Sequence, residues 1–262
     1  MKSDRQAEMK RLFFERKKLS CEELRSLFGI SIETVRRDLD HLERAGVIRR
    51  VYGGAVLVDD HGKSDEMPPW KARSVRNREL KRAIAEEVVR HIPDGSTIVM
   101  DSGTQAFEIA KQLVCCKDLT VLTNDMRIAA EVSAQTNHKV FFIGGSVKRG
   151  EMFTTGVLAT SFLEWFSHID IAVMSTDGFS VEKGMLDHDP EMGNLKTLMI
   201  GKAGKLILAM DSSKFSVNAF FRVCRAGRVD LLITDSAAPQ EVLQTLTQAG
   251  VRTVRVPGDK IE

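Results

Sequence analysis

Five short runs in the 262-residue chain combine hydroxyl, carboxylate, amide and glycine in ways that could grip a small polar ligand. The first, Asp101-Ser102-Gly103-Thr104, follows the apolar stretch Thr97-Ile98-Val99-Met100 and precedes a helix-prone one. At such a strand-to-helix junction, backbone N–H groups and two hydroxyls can hold a phosphate at the positive end of a helix. Asp101 itself repels phosphate and is better used accepting hydrogen bonds from sugar hydroxyls. The other runs are Thr123-Asn124-Asp125, Gly144-Gly145, Ser175-Thr176-Asp177-Gly178 and Asp211-Ser212-Ser213-Lys214, each placed after an apolar segment. Singly, each reads as a turn. Jointly they read as one rim. A second set is cationic: Arg36, Arg37, Arg44, Arg49 and Arg50 crowd into fifteen positions, with chemistry suited to DNA phosphates and base edges.

These groups need elements to aim them. From Ser31 to Gly46 a capping serine, apolar residues at 32, 35, 39 and 42, and a terminal glycine predict one helix with a buried stripe. Its outward face carries Glu33, Thr34, Arg36 and Arg37. A first helix is expected over about 3–18, with Met9, Leu12 and Phe13 inward, and a second after Ser20, whose spacing to Glu23 is that of a capping box. Leu24, Leu27 and Phe28 give that second helix its buried face, and Gly29 ends it. Two helices joined by about three residues, the second bearing an outward Arg pair, form a helix-turn-helix pattern. Residues 47–58 then read as a hairpin around Gly53-Gly54, a wing that brings Arg49, Arg50 and Tyr52 near the phosphate backbone or minor groove. The plainer alternatives are an amphipathic helix with a solvated face and a hairpin whose arginines only solubilise it.

Residues 59–69 show no periodicity and include Pro68-Pro69, so they read as a linker or arm, with Trp70 docking it. Helix and strand signals alternate beyond Arg78, predicting a largely parallel sheet covered on both faces, with ligands outside the C-terminal strand ends. Hydrophobic residues are 43% and charged residues 28%, as in globular chains. No apolar run is long enough to span a membrane and the start holds no apolar signal segment, so a cytoplasmic protein is expected. Cys21, Cys115, Cys116 and Cys224 lack metal-ligand spacing, and no two of the six histidines are placed to share a metal. Neither metal nor cofactor is expected. Residues 1–58 hold 13 Lys and Arg against 9 Asp and Glu, whereas the whole chain carries only +2, so the front is where a polyanion would dock.

The segment Ser31 to Leu57, read as S-x-x-T-V-R-R-D-L-x-x-L-E-x-x-G followed by R-x-Y-G-G-A-V-L, resembles the N-terminal reader of the DeoR family of bacterial transcriptional regulators. The resemblance implies a winged helix-turn-helix that binds operator DNA as a homodimer or homotetramer, with Ser31, Glu33, Thr34, Arg36, Arg37, Arg49, Arg50 and Tyr52 at the DNA. Further on, D-S-G-T, T-N, G-G, D-x-S-K-F and I-T-D at 233–235 resemble the family's C-terminal sensor. That implies a Rossmann-like α/β domain, a fold shared with sugar-phosphate isomerases, and a phosphorylated sugar or polyol effector. Asp101, Ser102, Gly103, Thr104, Asn124, Gly144, Gly145 and Lys214 carry over as effector residues, to which Lys148, Asp177 and Lys196 are added. Two departures stand out. Gln105 and Ala106 replace further threonines, removing hydroxyls from the first helical turn, and Met192 stands where a glutamate is usual, with Glu191 one residue off.

The expected organisation is a reader at 1–58, a linker at 59–75 and a sensor at 76–262, together a ligand-controlled repressor of carbohydrate genes and not an enzyme. Two alternatives stay open: a sugar-phosphate enzyme using Asp177, Glu182 and Lys183 as acid/base groups, and a constitutive DNA-binding factor whose pocket has degenerated at Gln105 and Ala106.

Overall fold

The computed structural model describes residues 2–16, 18–44, 47–51, 53–57 and 69–258. The chain divides into two compact units, residues 1–64 with 71–76, and residues 65–70 with 77–262.

The smaller unit contains α1 (Lys2–Arg16), β1 (Lys18–Ser20), α2 (Cys21–Phe28), α3 (Ile32–Arg44), β2 (Ile48–Val51) and β3 (Gly54–Leu57). The capping box forms as the spacing predicts: Glu23 N donates to Ser20 Oγ at 3.1 Å, and Ser20 N donates to the Glu23 carboxylate at 2.7 Å. Gly29 closes α2 with a left-handed φ of 61°, and Thr34 N donates to Ser31 Oγ at 3.2 Å to open α3. Val35, Leu39 and Leu42 bury with Met9, Phe13, Leu19 and Leu24; Ile32 is only half-buried and Leu27 is exposed.

Two features here were not read from the sequence. Lys18–Ser20 pairs antiparallel with β3, making a three-stranded sheet in the order β1-β3-β2. Gly54 permits that approach, because a Cβ there would overlap Leu19 O and Ser20 Cα. Asp38, on α3, is buried and accepts hydrogen bonds from Arg5 Nε at 2.8 Å and Gln6 Nε2 at 2.7 Å, tying α1 to α3. The expected helix end at Gly46, the wing tip at Tyr52 and linker residues 59–68 lie outside the described residues, as does the side chain of Arg49.

In the larger unit the chain runs α4 (Trp70–Val75, of which Trp70 alone belongs here), α5 (Arg78–Val89), β4 (Thr97–Met100), α6 (Thr104–Gln112), β5 (Thr120–Thr123), α7 (Met126–Gln135), β6 (Lys139–Phe142), β7 (Ser146–Val147) and β8 (Thr154–Thr155). It continues with α8 (Val157–Glu164), β9 (Ile169–Met174), β10 (Gly178–Ser180), β11 (Gly184–Asp187), α9 (Pro190–Lys202), β12 (Ala203–Ala209), β13 (Phe221–Cys224), β14 (Leu231–Asp235), α10 (Gln240–Gln248) and β15 (Arg252–Val256). Seven strands form the expected parallel sheet, ordered β15-β14-β12-β9-β4-β5-β6. Near-continuous apolar strands suit burial on both faces. Ile98, Met100, Ile171 and Val173 pack with α5, α6 and α7, whereas their neighbours Val99, Ala172 and Met174 pack with α8, α9 and α10. The strand order reverses between β4 and β9, and in open α/β sheets the ligand crevice lies outside the C-terminal strand ends at such a reversal. Beside the main sheet lie a β7-β8 pair and a small antiparallel sheet, β10-β11-β13; these short strands and β15 were not anticipated. Among the described residues no helix is long and apolar enough to cross a membrane.

Asp38→Ala strips two donors of their acceptor, which should cost the smaller unit about 1–3 kcal/mol. Urea unfolding followed by circular dichroism measures it; a midpoint unchanged from the parent would refute the role given to Asp38.

Candidate functional site

The reversal between β4 and β9 places two of the five polar runs side by side. Ser175, just past β9, donates its N–H to Asp101 Oδ1 at 3.0 Å and its hydroxyl to Asp101 Oδ2 at 3.0 Å. Lys196 reaches up from α9 beneath them. Its ammonium lies 2.9 Å from Asp101 Oδ2, 2.8 Å from Asp187 Oδ2 and 3.2 Å from Ser175 O. Three partners account for all three N–H bonds of an ammonium. Lys196, Asp101 and Asp187 are each at most 3% exposed, so this is a buried ionic hub. Asp177 adds a third carboxylate, with His188 N donating to it at 3.1 Å.

The charge balance explains how these groups titrate. One buried ammonium cannot offset three carboxylates. Burial raises Asp101 above the ordinary range despite Lys196 and the Ser175 hydrogen bonds. Burial, with the adjacent Asp177 charge, raises Asp187 from 3.8 to about 7 against the opposing pull of Lys196. Asp177 goes the other way: although burial pushes it up, Lys196, Lys214 and the His188 N–H together hold it low. Lys196 is driven further toward its charged form by Asp187, Asp101 and Asp177, which outweigh burial.

A second cluster adjoins the first through sulfur. Met192 Sδ receives the Ser102 hydroxyl at 3.9 Å and the Asn124 amide at 3.5 Å. Asn124 Nδ2 also donates to Thr154 O at 2.7 Å, while Asn124 Oδ1 is buried with no partner. Gly103 sits at the start of α6 with φ 137°, and a Cβ there would lie 3.0 Å from Ser175 Oγ. Both facts restrict the position to glycine. Gly145 has φ 148° and is pressed against Thr155 O, and the Thr155 hydroxyl donates to Glu191 at 2.8 Å. Nothing lies within 4 Å of where a Cβ would stand on Gly144.

Several expected site residues therefore hold positions different in kind from those anticipated. Lys196 has no N–H left over for a phosphate in this arrangement, and Asp101 is occupied by Lys196 and Ser175. Lys148 pairs with Asp189 at 2.6 Å, and Asp189 caps α9. Lys214 is half-buried on the 3-10 turn at 212–216 and lowers the carboxyls of Asp177 and Asp211. Thr104 opens α6. Gln105 Nε2 donates to Lys81 O on α5 at 3.0 Å while its Oε1 is buried with no partner, and Ala106 is buried with α5 and α6. Their identity thus bears on how α6 packs against α5. Ser175 lies in one of the expected runs, but Asp187, Thr154 and Thr155 were missed, since each is an ordinary residue made special only by its neighbours across the sheet. Glu182 and Lys183 are exposed at the turn of the β10–β11 hairpin, at the opposite end from Asp177, so those three do not form an acid/base set.

On the smaller unit, the outward face of α3 is as expected. Arg36 is exposed, Arg37 and Glu33 pair at 3.3 Å with both side chains more than three-quarters exposed, and Ser31 and Thr34 share a 2.9 Å hydroxyl contact. Arg50 instead turns inward. Its Nη1 lies 2.7 Å from Asp40 and 3.4 Å from Arg36 O, and its N–H donates to Glu43 at 2.8 Å, which clamps β2 to α3.

A helix-turn-helix unit with a charged outward helix, joined in one chain to a parallel α/β unit with a polar switch-point crevice, defines a DNA-binding regulator with a sensing domain. Comparison with known proteins agrees. Residues 5–61 match the DeoR-like helix-turn-helix domain and residues 76–236 match the DeoR C terminal sensor domain, so the chain belongs to the DeoR family of transcriptional regulators. It is 32% identical to the HTH-type transcriptional regulator GolR of Listeria innocua, over 95% of this chain and 96% of that one. It is 31% identical to the transcriptional repressor AccR of Agrobacterium fabrum (94% and 93%), and 30% identical to the glycerol-3-phosphate regulon repressor of Escherichia coli K12 (87% and 89%). These relatives are named as regulators and repressors, not enzymes.

Asp187 supplies a pH test. Between 3.8 and about 7 the folded chain keeps a proton on Asp187 that the unfolded chain releases, so its contribution is present at low pH and is lost as pH rises through that window. Asp187→Asn should flatten the decline of the melting temperature between about pH 4 and 7. Parallel melting curves for variant and parent would overturn this assignment.

Proposed function

We propose that this chain is a cytoplasmic repressor of carbohydrate-metabolism genes whose operator affinity is set by a phosphorylated sugar or polyol bound in the β4–β9 crevice. The observation that carries this is the convergence, at the strand-order reversal, of the α6 start, the Asp101–Lys196–Asp187 hub and the Asn124–Met192 contact. The backbone N–H groups at Ser102, Gly103 and Thr104 suit the phosphate, and Gly144 and Gly145 leave a backbone surface near it. Asn124, with a buried acceptor unengaged, and Asp177 suit sugar hydroxyls. Lys214 and Lys148 supply positive charge near the rim. Lys196 acts indirectly, by fixing Asp101 and Asp187. The family resemblance and a relative named as a glycerol-3-phosphate regulon repressor support this class of effector.

At the DNA, Ser31, Glu33, Thr34, Arg36 and Arg37 face the major groove in this reading. In the same reading Arg49 and Tyr52 are assigned to the phosphate backbone, and Arg50 braces β2 against α3. One reader spans one half-site, so the working unit is a homodimer or homotetramer on a paired operator.

Two measurements test the proposal. In a thermal-shift panel of glycerol 3-phosphate, ribose 5-phosphate and glucose 6-phosphate, a ligand at 100 times its dissociation constant stabilises by about 2.7 kcal/mol. A panel that leaves the melting temperature unmoved at millimolar concentrations counts against the effector class. On a duplex selected from a random pool, log affinity should fall with log salt by about 0.9 per phosphate engaged, and Arg36→Ala should cost about 1–3 kcal/mol in a sequence-dependent way. A flat salt profile, or an Arg36→Ala protein that binds as the parent does, would remove α3 from the DNA.

A further inference from the structure

Trp70 opens α4, through which the chain passes between the two units, and it meets Phe107 and Arg127 of the larger one. Its ring meets Phe107 of α6 edge-on, with centroids 5.8 Å apart and planes at 78°. The guanidinium carbon of Arg127, on α7, sits 3.4 Å from the Trp70 ring centroid. Trp70 is therefore held by the two helices whose starts supply Gly103-Thr104 and Asn124-Asp125 to the crevice. Stacking of guanidinium on indole is directional, so the ring follows the cation.

Arg127 is itself fixed. Its Nε and Nη2 fork onto the Asp125 carboxylate at 3.1 and 2.9 Å, with Glu151 3.9 Å from Nη2. Asp125 is fully buried and also caps α7, accepting from Arg127 N at 2.8 Å. The preceding residue is Asn124, whose Oδ1 has no partner and whose Nδ2 rests on Met192 Sδ and Thr154 O. A thioether is a weak acceptor, readily exchanged for a ligand hydroxyl. A reorientation of Asn124 that turned the peptide leading to Asp125 would reach the ring through the forked Asp125–Arg127 pair.

We propose that Arg127 and Trp70 are positioning residues that couple occupancy of the crevice to the segment joining the two units, by way of Asn124 and Asp125. This rests on the sensor reading above for the identity of the ligand, but the coupling itself is testable without one.

The chain has two tryptophans, so Trp165→Phe leaves Trp70 as the sole indole emitter in the full-length protein. In that background, without ligand, Asn124→Ala should change Trp70 emission, whereas Lys183→Ala, at the far hairpin turn, should leave it as it was. Unchanged emission in Asn124→Ala overturns the proposal. For the parent chain, Trp70→Leu should keep the thermal shift given by the sugar phosphates. It should also reduce their effect on DNA affinity from the roughly 5- to 150-fold typical of allosteric control to less than about 2-fold. Trp70→Phe should restore part of the response. Arg127→Gln should behave as Trp70→Leu does, and Trp70→Leu, which leaves the Asp125 fork intact, decides the matter if Arg127→Gln does not fold. Full DNA response in Trp70→Leu would refute the coupling. If no sugar phosphate shifts the melting temperature, the effector reading fails, and the ligand-free emission comparison still decides for or against the coupling.

Discussion

The buried ammonium of Lys196 is the constraint on which the crevice depends. It is anchored in the middle of α9, between the ends of β4, β9 and β11, and its three hydrogens bridge Asp101, Asp187 and the Ser175 carbonyl. Moving such charges out of water is expensive, and the arrangement is tolerable only because every hydrogen of the cation is engaged. Removing one partner of a buried pair costs about 3–5 kcal/mol, so the hub resists piecemeal change. What it provides is geometry. Strands from both halves of the sheet are held at one spacing across the crevice, with Ser102, Gly103 and Thr104 presented along its edge.

Met192 then joins this rigid hub to a softer neighbour. Its sulfur lies between Ser102 and Asn124, so the floor of the crevice passes from fixed charge to a flexible, polarizable group within one turn of α9. A ligand entering there can exchange weak contacts for stronger ones without disturbing the ion pairs beneath.

The parts legible in the sequence were those written locally. The Ser20–Glu23 box, the Gly29 stop, the Ser31 cap and the apolar stripe of α3 are each decided within a few residues, as are the five polar strand ends. The sheet was legible because runs such as Ile98–Met100 and Ile169–Met174 are apolar on both faces. What stayed hidden depends on partners far along the chain. Lys18–Ser20 becomes a strand only because β3 arrives beside it with a glycine at position 54. Arg50 was expected beside a phosphate; that its guanidinium pairs with Asp40 and its backbone N–H with Glu43 is set by residues seven to ten positions away. Asp187 has an unremarkable local context and acquires its role from Lys196. The contact of Gln105 with Lys81 O on α5 was likewise hidden, because spacing alone does not tell which neighbour a helix start packs against.

Asn124, Asp125 and Arg127 lie within four consecutive positions, so one short loop touches both the crevice and the tryptophan that opens α4. Such a loop has little freedom to drift. On the coupling proposed above, an exchange that retuned its fit to a ligand would also shift the Arg127 stack on Trp70. Met192 meets this turn through its sulfur, a soft contact that a flexible side chain re-forms more easily than a forked ion pair. Diversification of ligand preference on this scaffold should accordingly accumulate on α9, leaving the Asn124–Arg127 turn as the slowly changing part of the crevice.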